Sequence, residues 1–505
     1  MARGLNLAQR FVKRMATAVG LRAYAAAQTD SRFRQGSPPT GSSANAEVSA
    51  GAKPIANMAR DAVRNDAFAR RIVDLWAANA VGAGITCAWA DELHAEAWRR
   101  WAETRECDEE GKKTLPGIEA MVMRAVVQDG EALVRFVRSV PTMANPLGLR
   151  LHVLEADHLD RTKTGTYEER PILQGVEVSE TGRPVAYWLL PRHPGEAWPM
   201  MAGIGARTAV RVSASEVLHI YRQERPGQVR GVSWLAPVLP VLRDLSDYEA
   251  ALLLKAKIEA CLSAVVTEEA DDTVTGSRVT DANGNQIETF EPGMILYRKG
   301  AGEIEVVNPS GGGSHLGFAR RALERAAVGG GLTYDQVSGD LTGANYSSLR
   351  AGKIEFRALN GQVQWTLLLP QLCAPIAAEF HRMGALSGLW SLTEGDFTHT
   401  PPAPEMVDPM KDTMALIAQT RGLLSSPQRA AAALGWEWKE LVKEYAEALA
   451  DMDDAGVVSD ADARRVAKSG SAQDAAQIAA VEIAATGAAM PMREPASTPI
   501  QQEAA

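Results

Sequence analysis

Residues 234–262, "WLAPVLPVLRDLSDYEAALLLKAKIEACL", constrain the fold most. Leu235, Val238, Leu242, Leu245, Tyr248, Leu252 and Ala256 recur at three- or four-residue spacing, the period of one helical face. Ser233 is a candidate cap, and Pro237 suits a first turn. Pro240 lacks the amide hydrogen that a helix interior needs, so it bends the start or shifts it later. Residues 263–313 then change character. "SAVVTEE" and "MILYRK" read as strands, with turns at "DANGN" and "PSGGGS". A second helix follows at about 315–328. Two helices flanking a small strand-bearing insert describe a module carried on a stalk.

The remaining pattern alternates. Residues 57–80 and 91–104 have helical periodicity, with "VGAGITCAWA" as their connection. Residues 131–223 contain short segments rich in Val, Ile, Leu and Tyr, such as "EALVRFVRSV", "LRLHVLEADHL" and "PVAYWLLPR", and read as a β-rich unit. Residues 35–54 are rich in Ser, Gly, Pro and Ala and read as a flexible linker. The stretch "GDLTGANYSSLRAGKIEFRALN", residues 339–360, runs from small residues into a helix of about 346–369. Asn345 or Ser347 is its cap, and Pro370 is its stop. An Ala-rich helical tail follows, and the last residues have the composition of a disordered segment. The fold class is α+β.

Bulk properties exclude several functions. The 505 residues suffice for two to four domains at roughly 100–200 residues each. A net charge of −9 argues against tight nucleic-acid binding, which needs clustered cations to displace counterions. Cys87, Cys107, Cys261 and Cys373 are far apart, so neither a zinc framework nor a disulfide framework is indicated, and a reducing compartment is. No apolar run reaches the roughly 18 residues of a membrane span. The N-terminus carries Arg3, Arg10, Lys13, Arg14 and Arg22 ahead of its first acid, Asp30. It reads as a basic amphipathic arm or an organelle-targeting peptide.

Catalytic patterns are missing. No G-x-x-x-x-G-K-[ST], G-x-S-x-G or H-E-x-x-H occurs, so the sequence supplies no nucleotide lysine, nucleophile elbow or zinc helix. His152 and His158 are the nearest histidine pair and lack a ligand-spaced third partner. The run "EADHLD" holds Glu155, Asp157 and Asp160, a set suited to a divalent cation, although a turn ending a strand explains it more simply. No catalytic residue, metal or cofactor is assigned.

The order of these segments resembles the portal proteins of tailed bacteriophages, the lambda-type family. The resemblance runs through "LEADHLD", "GRPVAYWLL", "EVLHIYRQERPGQVRGVSWLAPVLPVLRDLSDYEAALLLKAKIEACL", "EPGMILY", "NYSSLRAGKIEF" and "VDPMKDTMALIAQTRGLLS", most of residues 60–440 in order. It implies a portal fold with a wing, a two-helix stem, a β-rich clip and a helical crown. Carried onto this chain, 1–56 is the arm and linker, 57–233 the wing region, and 234–262 the first stem helix. The clip is 263–313, the second stem helix 314–330, and the tunnel loop 331–344. The wing helix region is 345–404, the crown 405–485, and 486–505 a disordered tail.

The same resemblance implies a dodecameric ring at one capsid vertex, in the virion, assembled in the bacterial host cytoplasm. Double-stranded DNA passes through it without sequence preference. The implied partners are the terminase large subunit, the major capsid and scaffold proteins, and head-completion and tail connector proteins. No membrane is involved. The implied DNA-facing residues are Asp335, Gln336, Ser338, Asp340, Leu341 and Thr342 in the tunnel loop. Lys255, Lys257, Arg320, Arg321 and Arg325 are candidate basic rings. Gly329, Gly330, Gly331, Gly339 and Gly343 would give the loop its freedom. The alternatives are a packaging enzyme, ATPase or nuclease, or a head–tail adaptor or capsid structural protein.

Overall fold

The computed structural model describes residues 41–196, 208–268, 279–280, 286–287, 294–299, 315–343, 345–391, 395–404, 406 and 408–457. The basic arm and the final tail, 486–505, lie outside the described residues.

The fold begins earlier than composition suggests. Helix α1 spans Ala44–Asn65, with the Ser43 hydroxyl accepting from the Ala46 amide, and α2 spans Ala67–Ala80. Residues 44–56 are therefore helix rather than linker. Ala44, Val48, Ala52, Ala56 and Ala59 form the buried face of α1. Alanine is the best helix former, but a face of small residues lacks the bulk by which periodicity is usually noticed. The single helix expected over 57–80 is also divided. Asp66 leaves the helical conformation, and its carboxylate accepts from the amides of Phe68 and Ala69.

Strand β1 (Thr86–Trp89) leads to α3 (Glu92–Ala102) and α4 (Leu115–Asp129). The β-rich unit follows as expected and divides into two antiparallel sheets. Strands β2 (Glu131–Arg138), β3 (Leu149–Leu154) and β9 (Val217–Tyr221) form one, in the order β3-β2-β9. Strands β4 (Gly165–Tyr167), β5 (Arg170–Leu173), β6 (Val176–Val178), β7 (Pro184–Leu189) and β8 (Val210–Ser213) form a sequential meander. Helix α5 (Leu239–Cys261) starts immediately before Pro240, so the proline delays the helix, one of the two outcomes its missing amide allows.

The insert contains β10 (Leu262–Glu268), β11 (Val279–Thr280), β12 (Gln286–Ile287) and β13 (Met294–Lys299). Strands β10 and β13 pair in parallel, and β11 pairs antiparallel with β12. The turn read at 281–285 and the "PSGGGS" run lie outside the described residues. The chain returns in α6 (His315–Gly329), which packs beside α5.

A short helix α7 (Tyr334–Ser338) precedes the long helical run. That run consists of α8 (Tyr346–Val363, 18 residues), a π-helical segment (Gln364–Cys373, 10 residues) and α9 (Ala374–Leu386, 13 residues). Pro370 does not stop it. Pro370 lies inside the π-helical segment, which ends with the Ala374 amide bonded to the Leu369 carbonyl, five residues back. Strand β14 (Phe397–Thr400) pairs antiparallel with β1. Helices α10 (Pro409–Arg421), α11 (Pro427–Ala433) and α12 (Trp438–Asp454) follow. Of the segment read as crown, 458–485 lies outside the described residues. No helix among the described residues is long and apolar enough to cross a membrane.

The main core joins α2, α4, the entry to α5, the end of α6 and the long helical run. Trp76 is central, with its ring 5.1 Å from Trp234 and 5.4 Å from Phe356. Where α4 passes into β2, Gly130 has φ 95° and crosses the backbone at Gly231. A Cβ on Gly231 would stand 2.0 Å from the Gly130 carbonyl oxygen.

An ion pair flanks this crossing. Glu131 and Arg230 are both fully buried, and Arg230 Nη2 lies 2.5 Å from Glu131 Oε1. Arg161 Nη2 reaches the same oxygen at 2.8 Å, His219 Nε2 lies 2.9 Å from Oε2, and the Gly231 amide donates at 2.9 Å. Burial pushes the Glu131 carboxyl up. The Arg230 charge and the bonds from His219 and Arg230 outweigh it and hold the carboxyl well below its ordinary range. Glu119 is the opposite case. It is buried and accepts the Ile85 amide at 3.0 Å, with the Cys373 thiol at 3.8 Å. Burial raises it to about 7, against the bonds from Ile85 and Cys373.

These carboxyls give opposite pH signatures. Glu131 has a depressed folded pKa, so its contribution is present above the ordinary carboxylate range and is lost as pH falls through its lower folded value. Glu119 has a raised one, so its contribution is complete below about 4.5 and is lost as pH rises through about 7. In denaturant titrations, Glu119→Gln is expected to flatten the fall in stability between these values. Glu131→Gln is expected to cost roughly 3–5 kcal/mol at pH 7, because two guanidinium groups lose their buried partner. A loss of under about 1 kcal/mol, or an unchanged slope for Glu119→Gln, contradicts these assignments.

Candidate functional site

The stretch between α6 and α8 has a fixed base and an exposed tip. At the base, the Trp76 indole donates to the Gly330 carbonyl at 2.8 Å, and Arg71 donates to the Gln336 carbonyl. Glycine allows close packing here. A Cβ at Gly329 would lie 3.2 Å from Val238, one at Gly330 3.2 Å from Ile72, and one at Gly331 3.1 Å from Trp76. The freedom expected of this glycine run is thus replaced by tight contact with the core.

The next residues are helical. Leu332 and Val337 are buried in the core. The Gln336 side chain accepts from the Thr333 amide at 3.0 Å and from its hydroxyl at 3.1 Å, the reciprocal half of a capping box. The Ser338 hydroxyl donates to the Tyr334 carbonyl at 2.7 Å. Asp335, Gln336 and Ser338 therefore sit on α7 rather than on an open loop, and Gln336 and Ser338 spend their polar groups on local structure. Sequence reading missed α7 because five residues are too few to show a helical period. Its one signal is the T-x-x-Q spacing of Thr333 and Gln336.

Gly339 closes α7 with φ 72°, and residues 339–343 form the tip. Asp340 organises it. Its Oδ1 accepts from the Thr342 amide at 3.0 Å and hydroxyl at 2.6 Å, and its Oδ2 accepts from the Tyr334 hydroxyl at 3.1 Å. The bonds from Thr342 hold the carboxyl below its ordinary range, helped by Tyr334 and the Arg320 charge. Leu341 is 61% exposed. The Asn345 side chain accepts from the Ser348 amide at 2.8 Å and caps α8, as its sequence position suggests.

The candidate basic residues are distributed along the two helices. Lys255 and Lys257 lie near the end of α5, while Arg320, Arg321 and Arg325 lie on α6. Arg320 and Arg321 pair with Glu324 at 3.2 Å and 3.4 Å on an exposed helix face, where such pairs add little stability. Arg320 also reaches the tip's support, with its guanidinium 5.1 Å from the Tyr334 ring centroid. The structure thus brings Arg320, Tyr334 and Asp340 into one cluster. Tyr334 was not singled out by sequence reading, because an aromatic residue beside a glycine-rich stretch carries no distinguishing pattern.

A glycine-packed base, a turn held by one carboxylate and a long helix behind it present a small exposed tip on a rigid support, flanked by a helical pair bearing a strand insert. This chain belongs to the phage portal proteins of the lambda family, whose family model matches residues 30–364. A curated relative, the probable portal protein of Halomonas phage phiHAP-1, is 26% identical over 383 residues, covering 71% of this chain and 72% of that protein. Among solved structures, the chain is similar to the neck of a native GTA particle computed with C12 symmetry. That likeness has 14% identity, covers 75% of this chain and 92% of the other, and gives a TM-score of 0.41. The virion of a native gene transfer agent particle is matched at 14% identity over 80% of this chain and 97% of the other, with a TM-score of 0.38.

Asp340→Ala removes the acceptor that gathers Thr342 and Tyr334. Limited proteolysis of the variant is expected to show several-fold faster cleavage within 339–345, with the main melting transition in place. Cleavage at the wild-type rate would show that Asp340 does not hold the tip.

Proposed function

We propose that the chain assembles with copies of itself into a closed ring at one capsid vertex, through which phage DNA is packaged and later ejected. Membership of the lambda portal family over residues 30–364 carries this reading. The ring is dodecameric, as the family resemblance implies. It acts as a conduit and docking platform in the virion, without catalysis of its own, and it forms in the host cytoplasm with the major capsid and scaffold proteins.

In this reading α5 and α6 are the stem and residues 263–313 are the clip. The clip meets the terminase large subunit during packaging and head-completion or tail connector proteins afterwards. The wing is 57–233 with the long helical run, and the crown begins in α10–α12. The DNA-facing part of 331–344 narrows to the exposed tip, Asp340, Leu341 and Thr342. DNA passing through must not be held. Cationic walls hold phosphates by releasing counterions, and at this tip the exposed Arg320 is offset by Asp340 beside it and by Glu324, 3.2 Å from its guanidinium.

Electron microscopy of the purified full chain, in reducing buffer with a chelator, is expected to show a ring with a central hole about as wide as a DNA duplex. A monomer under every condition rejects the reading.

Two variants locate the working parts. Leu341→Arg adds one cation per subunit without removing a tip hydrogen bond. Asp340→Arg is less suitable, because it also breaks the turn and faces Arg320. Each new charge attracts a phosphate by about 1 kcal/mol for a hydrated pair at ~4 Å. Rings of Leu341→Arg are expected to form normally and package DNA more slowly. Removal of 263–313 is expected to spare the ring-forming surfaces and abolish motor docking. Normal packaging by the first variant removes the tip from the channel, and normal docking by the second removes the clip from the motor.

A further inference from the structure

Helices α5 and α6 carry exposed charges that find no partner among the described residues. On α5, Arg243, Asp244 and Asp247 are exposed, and none of them makes an ion pair there. On α6, Arg325 is in the same position. Arg321 is exposed too and reaches only the Glu324 carboxylate of its own helix, at 3.4 Å. Apolar side chains lie exposed beside them. Val328 is 79% exposed and Phe318 45% exposed on α6.

Contacts within the chain fix the relative heights of the two helices. Val238, just before α5, lies against Gly329. Leu245 packs with Ala322 and Leu323, and the Tyr248 ring lies 4.5 Å from that of Phe318. Each step forward along α5 is thus a step back along α6. On this scale Arg243 stands level with Glu324, Asp247 with Arg321 and Asp244 with Arg325, each to within about 3 Å at 1.5 Å of rise per residue. At every one of these heights the charges are opposite. The exposed Pro240 is level with Val328 in the same way, and the exposed Ala251 with Phe318. A small apolar side chain thus stands opposite a larger one above and below the charges. Inside one chain these residues do not meet, because Leu245, Ala322 and Leu323 occupy the contact between the helices.

We propose, resting on the ring reading, that a second copy of this chain covers the exposed side of α5 with its α6. Asp247 then pairs with Arg321, Asp244 with Arg325 and Arg243 with Glu324 across the boundary between copies. A head-to-tail contact of this kind, in which one face meets a different face, closes into a ring under rotation. Rotation involves no rise along the axis. In a ring whose axis the stem follows, each copy therefore offers its α6 to the next α5 at the heights given above. Arg321 and Arg325 neutralise a neighbour in this arrangement and do not line the channel. The passage is spared two rings of cations that would hold phosphates.

Two charge-reversed full-length chains test the contact. One carries Asp244→Arg with Asp247→Arg, the other Arg321→Glu with Arg325→Glu. Sedimentation and electron microscopy measure the ring content. Wild type is expected to form rings. Each reversed chain alone is expected to need at least tenfold higher concentration, because like charges face each other at every boundary. An equimolar mixture is expected to form rings close to the wild-type concentration. With the two chains alternating, reversed faces meet reversed faces and native faces meet native ones, and alternation closes in a ring of twelve. The dissociated chains should melt like dissociated wild type, which separates a lost contact from a lost fold. No ring from wild type rejects the ring reading and this contact with it. Rings from wild type and from each reversed chain at equal concentration overturn the stem contact alone. So does a mixture that forms rings no better than its separate components.

Discussion

The contact between Glu131 and Arg230 ties together parts of the chain that are remote in sequence. Glu131 opens the central strand β2, and Arg230 lies in the segment that enters α5. Arg230 donates to the Gln174 carbonyl at 2.8 Å and the Ala156 carbonyl at 3.2 Å, so its guanidinium also spans to the second sheet. A buried ion pair is not in itself a source of large net stability, because desolvation cancels much of the attraction. Its value here is positional. Beside it, Gly130 and Gly231 let two backbones cross at a distance no side chain permits. The direction in which α5 leaves the sheet region is therefore set by one buried charge pair and two missing methyl groups.

The same division between fixed and presented parts recurs before the long helix. Gly329, Gly330 and Gly331 press against Val238, Ile72 and Trp76, which belong to α2 and the approach to α5. The core that holds α5 and α6 together also holds the base of the tip. Only the few residues after Gly339 project. A short projection on a rigid base changes its position little when touched.

Much of this was legible in the sequence. The α5 periodicity, the delay at Pro240, the β-rich unit and the Asn345 cap follow from local rules of spacing and chemistry. Segment order carried the family. The failures have physical causes. Residues 44–56 were hidden because an Ala face has period without bulk, and Asp66 divided a helix that its apolar neighbours suggested was continuous. The glycines of 329–331 were read as freedom, although their role depends on Trp76 and Ile72, which lie far away in the chain. Asp340 and Arg320 were both singled out, but their common neighbour Tyr334 was not. His193 and Arg60 join Glu155 and Asp157 in an ion-pair network only through the fold, and no spacing announces it.

Pro370 has a consequence for how the long helical run is phased. An ordinary helix turns about 100° per residue, so apolar side chains set four apart advance some 40° at each step. Leu368, Leu372, Ile376 and Phe380 are set in such fours, and all four are buried. In an unbroken α-helix the stripe would wind away from the core. The widened turns of Gln364–Cys373 absorb part of the surplus angle. The segment works as a vernier between two helical scales. It lets one continuous rod keep α8 aligned with Trp76 at one end and α9 aligned with the Trp98 and Trp101 cluster at the other. A proline that would break a uniform helix here marks the place where the rod is re-indexed.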